Sequence, residues 1–283
     1  MVAPRSNVGR AWRQLRRNRA ALAGLVVIAA LVFAAAFAPL LTPYDPYAVA
    51  LEARLQPPGG AHLLGTDELG RDILARLLFG ARVSLWVGLV TVTLAATIGV
   101  SGGLLAGYLG GLWDAVIMRL VDVFLAFPVI ILAISIVAVR GPGLNNVLIA
   151  LALVYWTNYA RVARSVVLTL REEEYTWAAR TLGAGPVRIM VHHLLPNAVA
   201  PLVVLASLGM GNAILAEAAL SFLGLGIQPP EASWGSMLNY GMQFLRDASF
   251  LTTLPGLAIF VTVLGFNLLG DGLRDALDPR LRT

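Results

Sequence analysis

Residues Glu172 to Pro201 read EEEYTWAARTLGAGPVRIMVHHLLPNAVAP. The stretch lies between two long apolar runs, yet it is polar, helix-forming and broken by Gly183, Gly185 and Pro186. Glu172, Glu173 and Glu174 suit a helix N-terminus, where carboxylates complement the helix dipole. Tyr175, Ala178, Ala179 and Leu182 follow at the spacing of one helix face. Two of these four are Ala, so the face is flat and able to lie close against a partner. Gly183 suits a helix stop, Gly185 a sharp turn, and Pro186 the first position of a second helix. Val187, Met190, Val191 and Leu194 give that second helix an apolar side. Pro196 and Pro201 mark re-entry into the next apolar run. A connector between two membrane spans needs only a few residues, so one holding two short amphipathic helices either lies on the headgroups as an interfacial pair or is built to touch something outside the membrane.

Around this stretch the composition is that of a membrane protein. Of 283 residues, 58% are hydrophobic and only 13% charged, about half the charged fraction of ordinary soluble domains. Several uncharged runs reach the roughly 20 residues a helix needs to cross a bilayer. The fold class is an all-α polytopic membrane protein. There is no cysteine, hence no disulfide framework and no thiolate metal site. The pI of about 10.1 raises the question of nucleic acid, but the arginines cluster beside apolar runs, so membrane topology explains them and no nucleic-acid partner is expected.

Six spans are expected: Ala20 to Leu41, Ser84 to Tyr108, Val121 to Val139, Leu144 to Ala160, Ala198 to Ala216 and Phe250 to Gly270. The first follows a basic arm (residues 1–19) as a signal peptide would, but its apolar run is too long for one and more spans follow. Six spans place both termini on one side. That side holds fifteen of the 21 basic residues, all arginine, among them Arg5, Arg10, Arg13, Arg17, Arg161, Arg164, Arg171, Arg180, Arg280 and Arg282. The positive-inside rule then makes the termini, the tail 271–283 and the connector 161–197 cytoplasmic.

The second span carries Ala95, Gly99, Gly103, Gly107 and Gly111 four apart, a row suited to close helix packing within or between subunits, with a Gly-rich conduction path as the lesser alternative. Two outer segments are long. Residues 42–82 hold four prolines, then Ile73, Leu74, Leu77 and Leu78 opposed by Arg71, Asp72, Arg76 and Arg82, the pattern of an amphipathic helix at the outer interface. Residues 217–247 are apolar and rich in Gly and Pro, suited to folding back into the membrane or capping a cavity. Polar residues near or within the spans, Ser135, Asn158, Asn212, Asn267 and Glu217, are candidates for lining a path or for hydrogen bonding between helices. His192 and His193 point about 100° apart on a helix and His62 lies in another segment, so no metal site is expected.

The 172–196 stretch resembles the cytoplasmic EAA loop of ABC-transporter permeases. Ala178, Ala179, Gly183, Leu195 and Pro196 match its offsets, while Trp177 stands where the motif has Glu and His193 where it has Ile. His193 to Asn197, Leu64 to Asp67, Gly70 to Asp72, Gly80 to Arg82 and the AALSFLGLG run at 218–226 are similar to the peptide-transport branch, so the chain looks like a C-type permease subunit of a dipeptide or oligopeptide importer. The resemblance implies a type I importer fold and a coupling helix seated on an ATPase. The implied contact residues are Glu174, Tyr175, Trp177, Ala178, Ala179, Leu182, Gly183, Ala184, Pro186, Leu195 and Pro196. It also implies a second related permease, two ATPase subunits holding ATP and Mg, and an extracytoplasmic binding protein. Asp67, Arg71, Asp72 and Arg82 are the expected docking residues for the last. The same permease type also serves nickel, opine, glutathione or oligosaccharide systems.

Two other classes fit less well. An ion-coupled secondary transporter shows internal repeats and charges in its spans; no clear repeat is present and no charge is expected within the spans as drawn. An intramembrane enzyme needs a nucleophile with a base or a set of metal ligands; neither Gly-x-Ser-x-Gly nor His-Glu-x-x-His occurs, and the three His lie outside the spans. The chain itself has no phosphate-binding loop, so it is read as non-catalytic.

Overall fold

The computed structural model describes residues 14–16 and 18–277; the distal arm (Arg5, Arg10, Arg13, Arg17) and the end of the tail (Asp278 to Arg280, Arg282) lie outside them. Among the described residues the structure is helices and turns without strands. Helix α1 spans Arg19–Ala36, capped by Asn18, whose side chain accepts from the Ala20 and Ala21 amides. A short α2 (Ala38–Leu41) completes the first expected span. The long helices are α3 (Ile73–Leu109), α6 (Leu144–Leu170), α9 (Leu195–Phe222) and α11 (Phe250–Leu277). Between them lie α4 (Gly111–Leu125), α5 (Val129–Arg140), α7 (Glu174–Thr181), α8 (Pro186–Ile189) and α10 (Trp234–Gly241).

Among the described residues four helices are long and apolar enough to cross a membrane: Arg19–Ala36, Ile73–Leu109, Pro186–Phe222 and Phe250–Leu277. The third expected span is not one helix. It is α4 and α5, bent by 90°. Pro128 is the cause, because it donates no amide hydrogen bond and pushes Phe127 out of helical geometry. Helix α6, the expected fourth span, has 27 residues, roughly 40 Å at 1.5 Å per residue. It is more polar than the others, carrying Asn145, Asn146, Asn158, Arg161 and Arg164.

Two further expectations change. The amphipathic segment at 73–82 is no separate interfacial helix; it forms the first turns of α3, with Asp72 capping it by accepting from the Ala75 amide at 2.7 Å. The second loop helix is likewise continuous with the fifth span. Residues Pro186–Ile189 run through a widened π-turn, Met190–Leu194, into α9. Pro196 cannot donate to the carbonyl four residues back, and the extra residue in the turn absorbs that mismatch. The Asn197 side chain donates from Nδ2 to the His193 carbonyl at 2.7 Å.

The α3–α6 pair is the centre of the bundle. The small-residue row does pack helices. A Cβ on Gly103 would stand 2.5 Å from the Ala160 carbonyl oxygen, and one on Gly107 2.9 Å from Val167 Cβ. Gly111 leaves the row: at φ 52° it starts α4 and faces open space. Helices α1 and α11 meet just as closely at Gly24 and Gly265. Exposed Leu22, Val26, Phe33, Phe260 and Leu264 cover the outside of this pair, as expected where lipid replaces water as solvent.

Candidate coupling loop and path

Helix α6 ends at Leu170, and the chain turns at once into α7. The Thr176 hydroxyl donates to the Leu170 carbonyl at 2.8 Å, and the Thr176 and Trp177 amides donate to Glu173 O. Arg171 ties this corner to the end of α3, donating from Nη1 to Gly107 O and from Nε to Glu172 Oε1, each at 2.9 Å. Gly183 sits at φ 82° with open space around it, so it is backbone conformation, not crowding, that calls for glycine there. The Ala184 amide closes the turn onto Ala179 O.

The turn sorts the loop into two faces. Ala179, Ile189, Met190 and Leu194 are buried with Leu104 of α3 and Val167 of α6. Facing away are Tyr175, Trp177 (52% exposed), Leu182 (87%), Val187 (70%) and Val191, with Ala178 beside them. Ala179 therefore departs from the expected contact face: it packs inward, because α7 must bury one side against α3 and α6. Of the other expected contact residues, Glu174, Gly183, Pro186 and Pro196 are exposed, Ala184 and Leu195 half-buried. Partial burial, with Glu173 nearby, pushes the Tyr175 hydroxyl above its usual range.

No local pattern in the sequence marks the stack that braces this loop. The Arg180 guanidinium lies between two rings, 5.2 Å from the centre of Trp177 and 5.1 Å from that of Tyr108 on the last turn of α3. Such stacking is worth about 0.5–2 kcal/mol per ring. Trp177, the departure from the motif, thus has a structural partner.

The expected path residues do not form one cluster. Ser135 on α5, Asn158 on α6 and Asn212 on α9 are exposed, and Tyr155 donates to Asn212 O at 3.3 Å. Glu217 is fully buried beside Ser84 and Ser233, its Oε1 accepting from Ser221 at 2.6 Å, so it lines no open path in this arrangement. Asp122 falls inside the third span as drawn, against the expectation of charge-free spans. It pairs with Arg161 at 3.5 Å. Nearby, Arg164 grips Asp114 with two bonds of 2.5 and 2.6 Å and fastens α4 to α6.

In the outer segment the expected docking residues serve its own fold. Asp67 accepts from Arg71 Nε at 2.6 Å and contacts Arg76 at 3.3 Å, while Asp72 contacts His62 at 2.9 Å. All but His62 are buried. Arg82 donates to the Ala35 and Ala36 carbonyls at the end of α1. The 217–247 segment begins as the last turns of α9 and goes on through α10 and a 3-10 turn, with buried Trp234 donating to Leu77 O at 3.1 Å.

This bundle and loop can be set beside known proteins. Residues 99–283 match the model of the "binding-protein-dependent transport system inner membrane component" family. The chain is a member of this permease family. Residues 6–58 match the N-terminal transmembrane domain of oligopeptide transport permease C. The dipeptide transport system permease protein DppC of Alkalihalophilus pseudofirmus is 49% identical over 96% of this permease and 90% of its own length. The same-named protein of Escherichia coli is 49% identical, covering 96% and 92%. The di/tripeptide transport system permease protein DppC of Pseudomonas aeruginosa is 47% identical, covering 96% and 91%. Among solved structures, an inward-facing MetNI methionine ABC transporter aligns at TM-score 0.58 and 20% identity, over 71% of this permease and 96% of that chain. That likeness is one of fold. The protein is thus an ABC importer permease with a type I fold.

Proposed function

We propose that this permease carries di- or oligopeptides inward, together with a second related permease, two ATPase subunits and an extracytoplasmic binding protein. Its termini and the 171–197 loop are cytoplasmic, in the inner or plasma membrane of a prokaryote. The chain is non-catalytic; ATP and Mg are held by the ATPases. The observation that carries the reading is the exposed apolar face of Tyr175, Trp177, Leu182, Val187 and Val191 on an otherwise well-bonded loop. In water such a face calls for a partner, and the arginine bias supports the cytoplasm as its side. The peptide naming of relatives near half identity supports the substrate class.

Reconstitution of the permease with the neighbouring transporter genes' products tests this. ATP-dependent, vanadate-sensitive uptake of a labelled dipeptide is expected. Uptake driven by an ion gradient without ATP, or an assembled complex whose binding protein takes nickel or a sugar and no peptide, overturns it.

A further inference from the structure

We infer that the polar face of α6 near the loop, with Asp122 of α4 beside it, is a station that holds the two charged ends of a peptide in transit. The inference rests on the peptide-import reading above. Asn158, Arg161, Ser165 and Thr169 are spaced three, four and four apart, so they share one helix face. All four are exposed. Along the same face toward the far end of α6 come Val154, Leu151 and Val147. These are buried, with Leu151 and Val147 in the apolar cluster of Val87, Ala216 and Leu220. The polar lane is therefore open toward the loop and closed by packed side chains beyond Asn158.

Charge on this lane is arranged for exchange. Two ion pairs join α4 to α6, and they differ in kind. Asp114–Arg164 is short, two-pronged and partly buried, with side chains 25% and 33% exposed. Asp122–Arg161 is a single contact at 3.5 Å with side chains 61% and 58% exposed. The first is a fastening. The second adds little to stability, since water screens an exposed pair and its long side chains lose freedom in making it. Ionisable residues inside spans are costly and face a polar route or a partner. A peptide's ammonium fits Asp122 and its carboxylate fits Arg161. Two residues of extended chain reach roughly 7 Å, so the long Arg161 arm must swing away to admit them. One internal pair is then exchanged for two pairs with substrate, both still hydrated. Holding is therefore weak, which suits a site that must also release.

The chain has no cysteine, so single-cysteine variants report accessibility directly. Asn158→Cys, Ser165→Cys and, as an apolar control on another face of α6, Leu153→Cys are to be assembled in the complete transporter in vesicles. Labelling uses a charged, membrane-impermeant maleimide supplied on the loop side. The lane positions should label about tenfold faster than the control. Millimolar dipeptide should slow that labelling, and the same dipeptide acetylated at its N-terminus and amidated at its C-terminus should not. Asp122→Asn or Arg161→Gln should weaken the protection about tenfold, the loss of one charge-assisted contact. Vesicles that import dipeptide but leave both lane cysteines unlabelled overturn the station and leave the import reading standing. So does protection that is equal with the blocked peptide or unchanged in the charge variants. Vesicles that import something other than peptide overturn both.

Discussion

Replacing Gly103 by Ala tests the α3–α6 contact on which the bundle is built. The new Cβ would lie 2.5 Å from Ala160 O, 2.6 Å from Ala163 Cβ and 2.9 Å from the Arg164 amide nitrogen. Carbon contacts are optimal at about 3.5–4.0 Å, so α3 and α6 must part by roughly 1 Å. Two of the three atoms are backbone and cannot rotate away. Overpacking of this kind costs about 1–3 kcal/mol, against a helix-propensity gain of at most about 1 kcal/mol for Gly→Ala. Gly102 supplies the control. A Cβ there meets only Ile117 Cγ2 at 3.6 Å and Trp156 Cζ3 at 3.8 Å, so Gly102→Ala keeps the propensity gain without the clash. The two variants should differ by about 1–3 kcal/mol. Unfolding of each purified permease in mixed micelles by SDS titration, followed by tryptophan fluorescence, measures this. Gly103→Ala unfolding at the same or higher SDS fraction than Gly102→Ala would refute the close contact.

Other substitutions address the loop and the outer segment. Leu182→Asp and Val187→Asp place charge on side chains that touch little of their own chain; the permease should fold normally, but co-purification of the ATPases should fall about tenfold or more. Tyr108→Phe keeps the ring beneath Arg180 and should transport normally. Tyr108→Leu and Arg180→Ala should lower substrate moved per ATP hydrolysed, measured by paired uptake and phosphate release; equal ratios in all three would remove the stack from the coupling route. Arg76→Met leaves Asp67 buried with one fewer cation and should cost about 3–5 kcal/mol. Removing both charges with Asp67→Asn/Arg76→Met should recover part of that loss in the same SDS titration.

The loop was legible because its signals are local. Gly183, Gly185 and Pro186 determine turns by their own backbone preferences, and the structure turns where they stand. The continuity of helices was less so. The 73–82 segment and the 186–194 segment have amphipathic patterns that suit a free interfacial helix equally well. Whether such a segment stands alone depends on what covers it, here Trp234 over the first and Leu104 with Val167 over the second. The same limit applies to Ala179: spacing places it on a face but does not say which face a partner takes. Pro128 was the readable sign of the break in the third span, yet an apolar run on both sides conceals it. Paired charges such as Asp67–Arg71 look like surface chemistry in sequence, and only the fold turns them inward.

The loop and the outer segment are joined by one uninterrupted element. Helix α3 has 37 residues and no proline, roughly 55 Å of helix. At one end Gly107 O is held by Arg171, and Tyr108 lies under Arg180. At the other, Asp72 contacts His62, Arg76 contacts Asp67, and Leu77 O receives the Trp234 indole. Its glycines would soften a lone helix, but Gly99, Gly103 and Gly107 are pressed against α6, so the pair bends less than either member. The other route out of the loop is built differently. It passes a π-turn at Met190–Leu194 and then Pro201 inside α9, two places where helices yield. In the proposed coupling, a push on Trp177 or Leu182 would reach the outer segment through α3 and α6 as displacement, while α9 would absorb it by bending. Loss of transport in Gly103→Ala beyond its loss of stability, with Gly102→Ala unaffected, is what that division of labour requires.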